Sequence, residues 1–331
     1  MMKMQPFLLL PEFVERPWGT RDLSLIYPHK TARKGGEFEE PVGEVWLTGD
    51  KCRVSTGPLQ GRTLADVTKE FGRKLIGESA PADDVFPLLS KFLFPKEKLS
   101  VQVHPDDAVA QRQGLPNGKS ECWYVLAAEP EAKVALGLKM VFTDHADLGT
   151  KLKLAIESNT IEELLNWMEV RAGELVNVPA GTVHSIGPGS ILVEVQQNSD
   201  VTYRLYDYGR PRELHIEKGI ESIHEPSHAG KVERITESKS FGNISLLNRT
   251  EKFLVEKFVV KSDATIRNDE QGGKKSVRVV IGLEGCGILE FQGGPSLTLA
   301  KGEVAVIPAG IQEFGISPQW ALECLSAKVP G

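Results

Sequence analysis

One motif is written twice in this chain. GELVNVPAGTVHSI (173–186) recurs as GEVAVIPAGIQEFGI (302–316), with an offset of 129 residues. Each copy runs from a turn glycine and an acidic residue into a short apolar strand, then Pro-Ala-Gly, then a second strand. Proline fixes φ and glycine tolerates positive φ, so Pro-Ala-Gly makes a tight turn between paired strands. Thirty-two glycines and twenty prolines cut the rest of the chain into short Val-, Ile-, Leu- and Phe-rich runs. That pattern belongs to a β-rich fold with frequent turns. With 331 residues, the repeat implies a mainly β protein of two jelly-roll barrels.

The copies differ in one respect that bears on chemistry. His184 in the first falls opposite Glu313 in the second, and no histidine follows His228. A metal, if one is held, belongs to the first barrel. Helical spacing of apolar residues appears at 64–78, 145–169 and 213–223, with Asn159 or Thr160 placed to cap the segment IEELLNWM.

A net charge of −6 argues against a nucleic-acid partner, which needs a basic face. The apolar run near the N-terminus is too short for a signal-peptide core, and no run approaches the length of a membrane span. Cys52, Cys122, Cys286 and Cys324 form no C-x-x-C pair and read as reduced packing residues. The expected compartment is the cytoplasm, with no membrane partner. The sequence is compatible with a monomer and leaves the oligomeric state open.

The stretch SVQVHPDD (100–107) alternates. In a strand, Gln102 and His104 share one face while Val101 and Val103 share the other. Either the polar pair faces water, or it faces a barrel interior and meets other ligands there. Two further residues suit the second reading: Glu121, opening the apolar strand of GKSECWYVL (118–126), and His184, just after the Pro-Ala-Gly turn. Histidine nitrogen and carboxylate oxygen without sulfur suit zinc, iron or manganese. Asp106 and Asp107 follow Pro105 and read as helix caps rather than ligands. His215, His224 and His228 read as surface residues.

The strings QVHPDD, GKSECWYVL, VPAGTVHSIGPG and EVQQNSDVTYRLYDYGR occur in order, preceded by RPWGT (16–20) and GEVWLTGD (43–50). Together they resemble the type I mannose-6-phosphate isomerases, in particular the short bacterial branch of that cupin family. The likeness is clear from about residue 15 to 220; beyond that the match is mainly architectural. YDYGR stands where the family commonly has YDWGR, and the aromatic is kept.

The resemblance implies a zinc ion, one per chain, held in the first barrel by Gln102, His104, Glu121 and His184. It places Arg204 in the active site, with Glu194 and Lys119 lining it. It implies division into a metal-binding cupin domain (1–225), carrying a helical insertion at about 145–170, and a metal-free cupin-like domain (226–331). The implied reaction interconverts mannose 6-phosphate and fructose 6-phosphate by proton transfer through an enediol, so the partner is a small sugar phosphate. Lys119, Arg204 and Arg210 are the candidates for its phosphate. Glu194, set opposite Val193 and Val195 by alternation, is the first choice of base; the alternative is that it pairs with Arg204. Two other readings remain: a different metal-dependent cupin enzyme such as an iron oxygenase, and a non-catalytic sugar-binding cupin.

Overall fold

The computed structural model describes residues 4–30, 37–82, 84–140, 142, 144–268 and 273–331. Among these, the strands assemble into three antiparallel sheets, and the chain is mainly β. The first has seven strands, in the order Gly230–Val232, Leu175–Val178, Glu121–Ala128, Ser190–Gln197, Leu88–Leu93, Val42–Trp46 and Glu12–Thr20. The second has five: Tyr203–Tyr206, Val101–Val103, His184–Ile186, Lys133–Leu138 and Leu165–Glu169. The third, ten-stranded, is built around the long strands Arg278–Glu290 and Glu313–Lys328. Among the described residues the strands form open sheets and no closed barrel, where the repeat led to an expectation of barrels.

Alternation decides how the sheets stack. In Ser190–Gln197, Val193 and Val195 point into a core shared with the third sheet, where they meet Val279, Ile281 and Leu325. Leu192 points the other way, into a second core between the seven- and five-stranded sheets, with Trp123, Val125, Val134 and Ile186. Each such aliphatic side chain contributes roughly 1.5–3 kcal/mol on burial. A polar residue on the Leu192 face is therefore enclosed between two sheets.

The outer face of the five-stranded sheet is covered by helices. Val101 and Val103 pack there against Leu148, Leu152 and Ile220, so both faces of this strand are enclosed, the valines and His104 fully and Gln102 partly. The helix His145–Glu157 starts at Asp144, whose carboxylate accepts from the Asp147 amide. Thr160 precedes the short helix Ile161–Leu164 without a side-chain cap bond. The helical pattern read through 169 stops there. Leu165–Glu169 is a strand on the edge of the five-stranded sheet, with Trp167 opposite Ala135 and Met168 opposite Val134. A free sheet edge supplies backbone hydrogen bonds and an apolar surface, and this outweighs local helix propensity. Similarly, 64–78 breaks into Leu64–Phe71 and Arg73–Ile76 at Gly72, whose φ of 47° an L-residue rarely adopts. In 213–223 only Ile216–Glu221 is helical.

Strands cross the expected division at residue 225 in both directions. Phe7–Leu10 pairs with Val304–Ile307 in the third sheet, and Gly230–Val232 pairs with Leu175–Val178 in the first. No helix among the described residues is long and apolar enough to cross a membrane.

Candidate active site

Gln102 and His184 lie opposite each other in adjacent strands of the five-stranded sheet. Glu121 opens a strand of the facing seven-stranded sheet. Their meeting point lies between the sheets. His104 follows the strand Val101–Val103, and its carbonyl accepts from the Gly181 amide of the Pro-Ala-Gly turn. Asp106 then caps the helix Asp107–Arg112 by accepting from the Val109 amide, and Asp107 accepts from the Gly118 amide. At Gly118 the two loops touch: a Cβ there would lie 2.5 Å from the Asp106 carbonyl carbon. That contact sets where Lys119 and Glu121 begin.

His104, Glu121 and His184 are each about 1% exposed, and their ligand atoms all lie within 4.8 Å of one another. His104 Nε2 is 3.4 Å from Glu121 Oε2, and His184 Nε2 is 3.4 Å from Glu121 Oε1. His184 Nδ1 is 2.9 Å from the Thr182 carbonyl. Since a carbonyl only accepts, the proton sits on Nδ1 and the Nε2 lone pair faces the centre. Gln102 Nε2 is 3.1 Å from that nitrogen, and Ser100 Oγ donates to Gln102 Oε1. Both ring nitrogens of His104 and Glu121 Oε2 have no hydrogen-bond partner despite full burial. Buried polar atoms without a hydrogen bond are costly, and a cation among these three side chains would offset that cost at His104 Nε2 and Glu121 Oε2. The donor set thus fits a divalent metal, with Gln102 adjacent.

The electrostatics agree. Burial, then the Lys119 ammonium, push the His104 pKa down to about 3. Burial likewise lowers that of His184. Both shifts favour the neutral imidazole, the form that can bind a metal. Burial alone would raise Glu121, but Lys119 and the histidines hold it well below its usual value. Glu194 is the contrast: burial first, then the Glu121 charge, raise it to about 7. The indole N–H of Trp123 lies 3.2 Å from both Glu121 Oε1 and Glu194 Oε2, linking the two carboxylates.

A cleft opens beside this centre. Gln102, Lys119, Glu194 and Arg204, each singled out in the sequence, line it. Lys119 Nζ is 3.4 Å from Glu121 Oε2. The Nε of Arg204 is buried without a partner. Glu194 pairs with Lys91 at 3.5 Å, not with Arg204. Arg210 is absent from the lining: its guanidinium is bound to Glu97, Asp207 and the Lys98 carbonyl. Arg212 lines the cleft instead, aimed by two 2.6 Å bonds to the buried Asp207.

Sequence reasoning also missed Lys91, Glu44 and Arg16. Lys91 is buried among Glu44 (3.6 Å), Glu194 (3.5 Å) and Asp200 (3.8 Å). Burial would raise Glu44, yet Lys91 and Arg16 hold it at about 2. The signal for Lys91 was present as a lone cation in the apolar strand LLSKFL, every residue of which is buried. His215, His224 and His228 lie outside the cleft lining; His224 is 3.3 Å from Asp106. Glu313 is exposed.

Residues 7–140 match the family profile described as phosphomannose isomerase type I, catalytic domain. The mannose-6-phosphate isomerase ManA of Bacillus subtilis is 32% identical over 331 aligned residues, 95% of this chain and 96% of that protein. The mannose-6-phosphate isomerase of Streptococcus mutans is 34% identical over 68% of this chain and 70% of its own length. The crystal structure of the mannose 6-phosphate isomerase from Bacillus subtilis superposes with a TM-score of 0.83 at 31% identity, covering 98% of this chain and 99% of that one. Near-complete coverage at this identity, together with the His-Glu-His centre, places the chain in the type I phosphomannose isomerase family.

Proposed function

We propose that this chain interconverts mannose 6-phosphate and fructose 6-phosphate. The observation that carries the reading is the neutral His104–His184 pair facing ionised Glu121, set beside a cleft lined by Lys91, Lys119, Arg204 and Arg212. An aldose–ketose isomerisation opens the sugar ring, takes a proton from carbon 2 and returns it to carbon 1, while the carbonyl and hydroxyl exchange a proton. A divalent cation held by Gln102, His104, Glu121 and His184, zinc in our reading and one per chain, would supply Lewis acidity toward the sugar oxygens.

The chain's own residues do the rest. Glu194 stands on the cleft face of its strand, enclosed from bulk water, and is our candidate for the group that moves the proton. Lys119 and Lys91 bring positive charge toward oxygens on which negative charge develops. Arg204 and Arg212 present guanidinium forks suited to a phosphate, with Arg16 across the cleft. Arg212 takes the place in this set that Arg210 was expected to hold. The Bacillus subtilis isomerase is matched over nearly its full length, which supports neither an oxygenase nor a non-catalytic reading.

We read the architecture as two cupin-type units, 1–225 and 226–331, that exchange edge strands, with metal only in the first. The four cysteines are free, three of them buried, which supports a cytoplasmic location. The test of the function is a coupled assay for fructose 6-phosphate formation from mannose 6-phosphate. Turnover lost with chelator and restored by zinc is the expected result; absence of turnover in the zinc-loaded protein sinks the reading.

A further inference from the structure

Pairings around the candidate centre have counterparts in the ten-stranded sheet. Val178 lies opposite Glu121, and its counterpart in the repeat, Ile307, lies opposite Arg278. Glu194 is paired with Trp123 and Lys91, while Ser326 is paired with Val280 and Glu256. His184 is paired with Gln102, and Glu313 with Arg267. The second half therefore carries Arg278 where the first has Glu121, Glu256 where it has Lys91, and Ser326 where it has Glu194. Two of the three charges are thus reversed, and the third is replaced by a hydroxyl.

Arg278 is 2% exposed and its donors are engaged. Nε–H donates to Asn268 Oδ1 at 2.9 Å, and Nη1 donates to Glu256 Oε2 at 2.8 Å and Ser326 Oγ at 2.6 Å. Nη2 donates to the Arg267 carbonyl at 3.3 Å. The ring of Phe258 lies 5.8 Å away. Lys328, whose ammonium donates to the Asn268 carbonyl, adds a second cation at the same centre. One guanidinium thus ties its own strand to the strands Leu254–Val260 and Glu313–Lys328 and to the end of Ala264–Arg267.

We infer that Arg278 is a built-in substitute for a metal ion in the second half of the molecule. A guanidinium stays charged at any pH a protein survives, and its planar fork directs five donors at fixed angles. It can therefore satisfy acceptors converging from several strands, as a coordinated cation does, without depending on metal supply. Its charge also repels a cation from the one position corresponding to the Glu121 ligand. The second half is then indifferent to chelation, and its core supports the sheet bearing Glu121 and Glu194 whether or not metal is bound. The comparison rests on reading the first centre as a metal site, but the role of Arg278 itself is measured independently of it.

The test uses the full chain, with Arg278→Met and Arg278→Lys, elemental analysis, and thermal unfolding with and without chelator. Arg278→Met is expected to keep the metal content of the unmodified protein and its isomerase kcat and KM. Its unfolding midpoint is expected to fall by at least about 5 °C, equally in loaded and stripped protein. Arg278→Lys is expected to fall between the two. A midpoint unchanged in Arg278→Met overturns the inference, as does a second metal equivalent in the unmodified chain or loss of metal from the variant. Should Arg278→Met fail to fold, Glu256→Gln replaces it, with a smaller drop expected equally under both conditions; no drop overturns the inference. If the chain showed no isomerase activity but these shifts were seen, the functional proposal would fail while this one stood.

Discussion

Replacing Lys91 by Met probes the buried charge network most directly. Lys91 Nζ lies 3.5 Å from Glu194, 3.6 Å from Glu44 and 3.8 Å from Asp200, and 4.8 Å from the centre of the Trp46 ring. Burial alone would depress its pKa, but these carboxylates hold it above the usual lysine value. Breaking a buried ion pair from one side costs about 3–5 kcal/mol, because the remaining charges stay desolvated. The displacement of Glu44 from 4.5 to about 2 corresponds to about 3 kcal/mol, of which Arg16 keeps a share in the variant. The expected loss near pH 8 is therefore about 3–5 kcal/mol.

The pH dependence has a definite sign. Without Lys91 the folded pKa of Glu194, already raised to about 7, rises further above its unfolded value. The folded variant then binds more protons than its unfolded chain, so its stability increases as pH falls through that range. Near pH 5.5 Glu194 is protonated in both proteins, leaving mainly the Glu44 share, about 2 kcal/mol. Urea unfolding of both proteins at the two pH values measures the difference. A deficit equal at both, or larger at the lower pH, would refute the argument.

Three further outcomes are expected. His184→Ala should lose its metal while Glu313→Ala keeps it; elemental analysis decides, and equal loss would mean the wrong half was chosen. Arg204→Ala should retain metal and fold but lose about 100-fold in kcat/KM, the loss of a charge-assisted contact of 2–3 kcal/mol; near-normal turnover removes Arg204 from the site. Arg212→Ala should raise KM for the sugar phosphate roughly 10-fold or more, whereas Arg210→Ala should change it less. Equal effects would show that both arginines reach the substrate, or that neither does.

Much of the centre was legible because its motifs are local. The alternation of Val101–Val103 put Gln102 and His104 on one face, and the Pro-Ala-Gly turn announced His184. Glu121 stood out as a carboxylate opening an apolar strand, but its convergence with the histidines was not readable from the residues alone. Arg210 and Arg212 show where such reading stops: they are two residues apart and both bound by Asp207, yet only Arg212 lines the cleft. Leu165–Glu169 likewise carries a helical pattern and becomes a strand because an open edge lies beside it.

By itself the sequence determined a β-rich chain built on a repeated strand–turn–strand unit, and a His and Glu set able to hold a metal around its first copy. Those properties follow from period-two alternation and turn chemistry, which act over a few residues. Only the tertiary structure decided that Lys91 joins Glu194, that Phe7–Leu10 completes the sheet of the other half, and that Arg278 stands where Glu121 would. Each depends on the register between strands far apart in the chain, and register is set by which faces are buried together rather than by any local pattern.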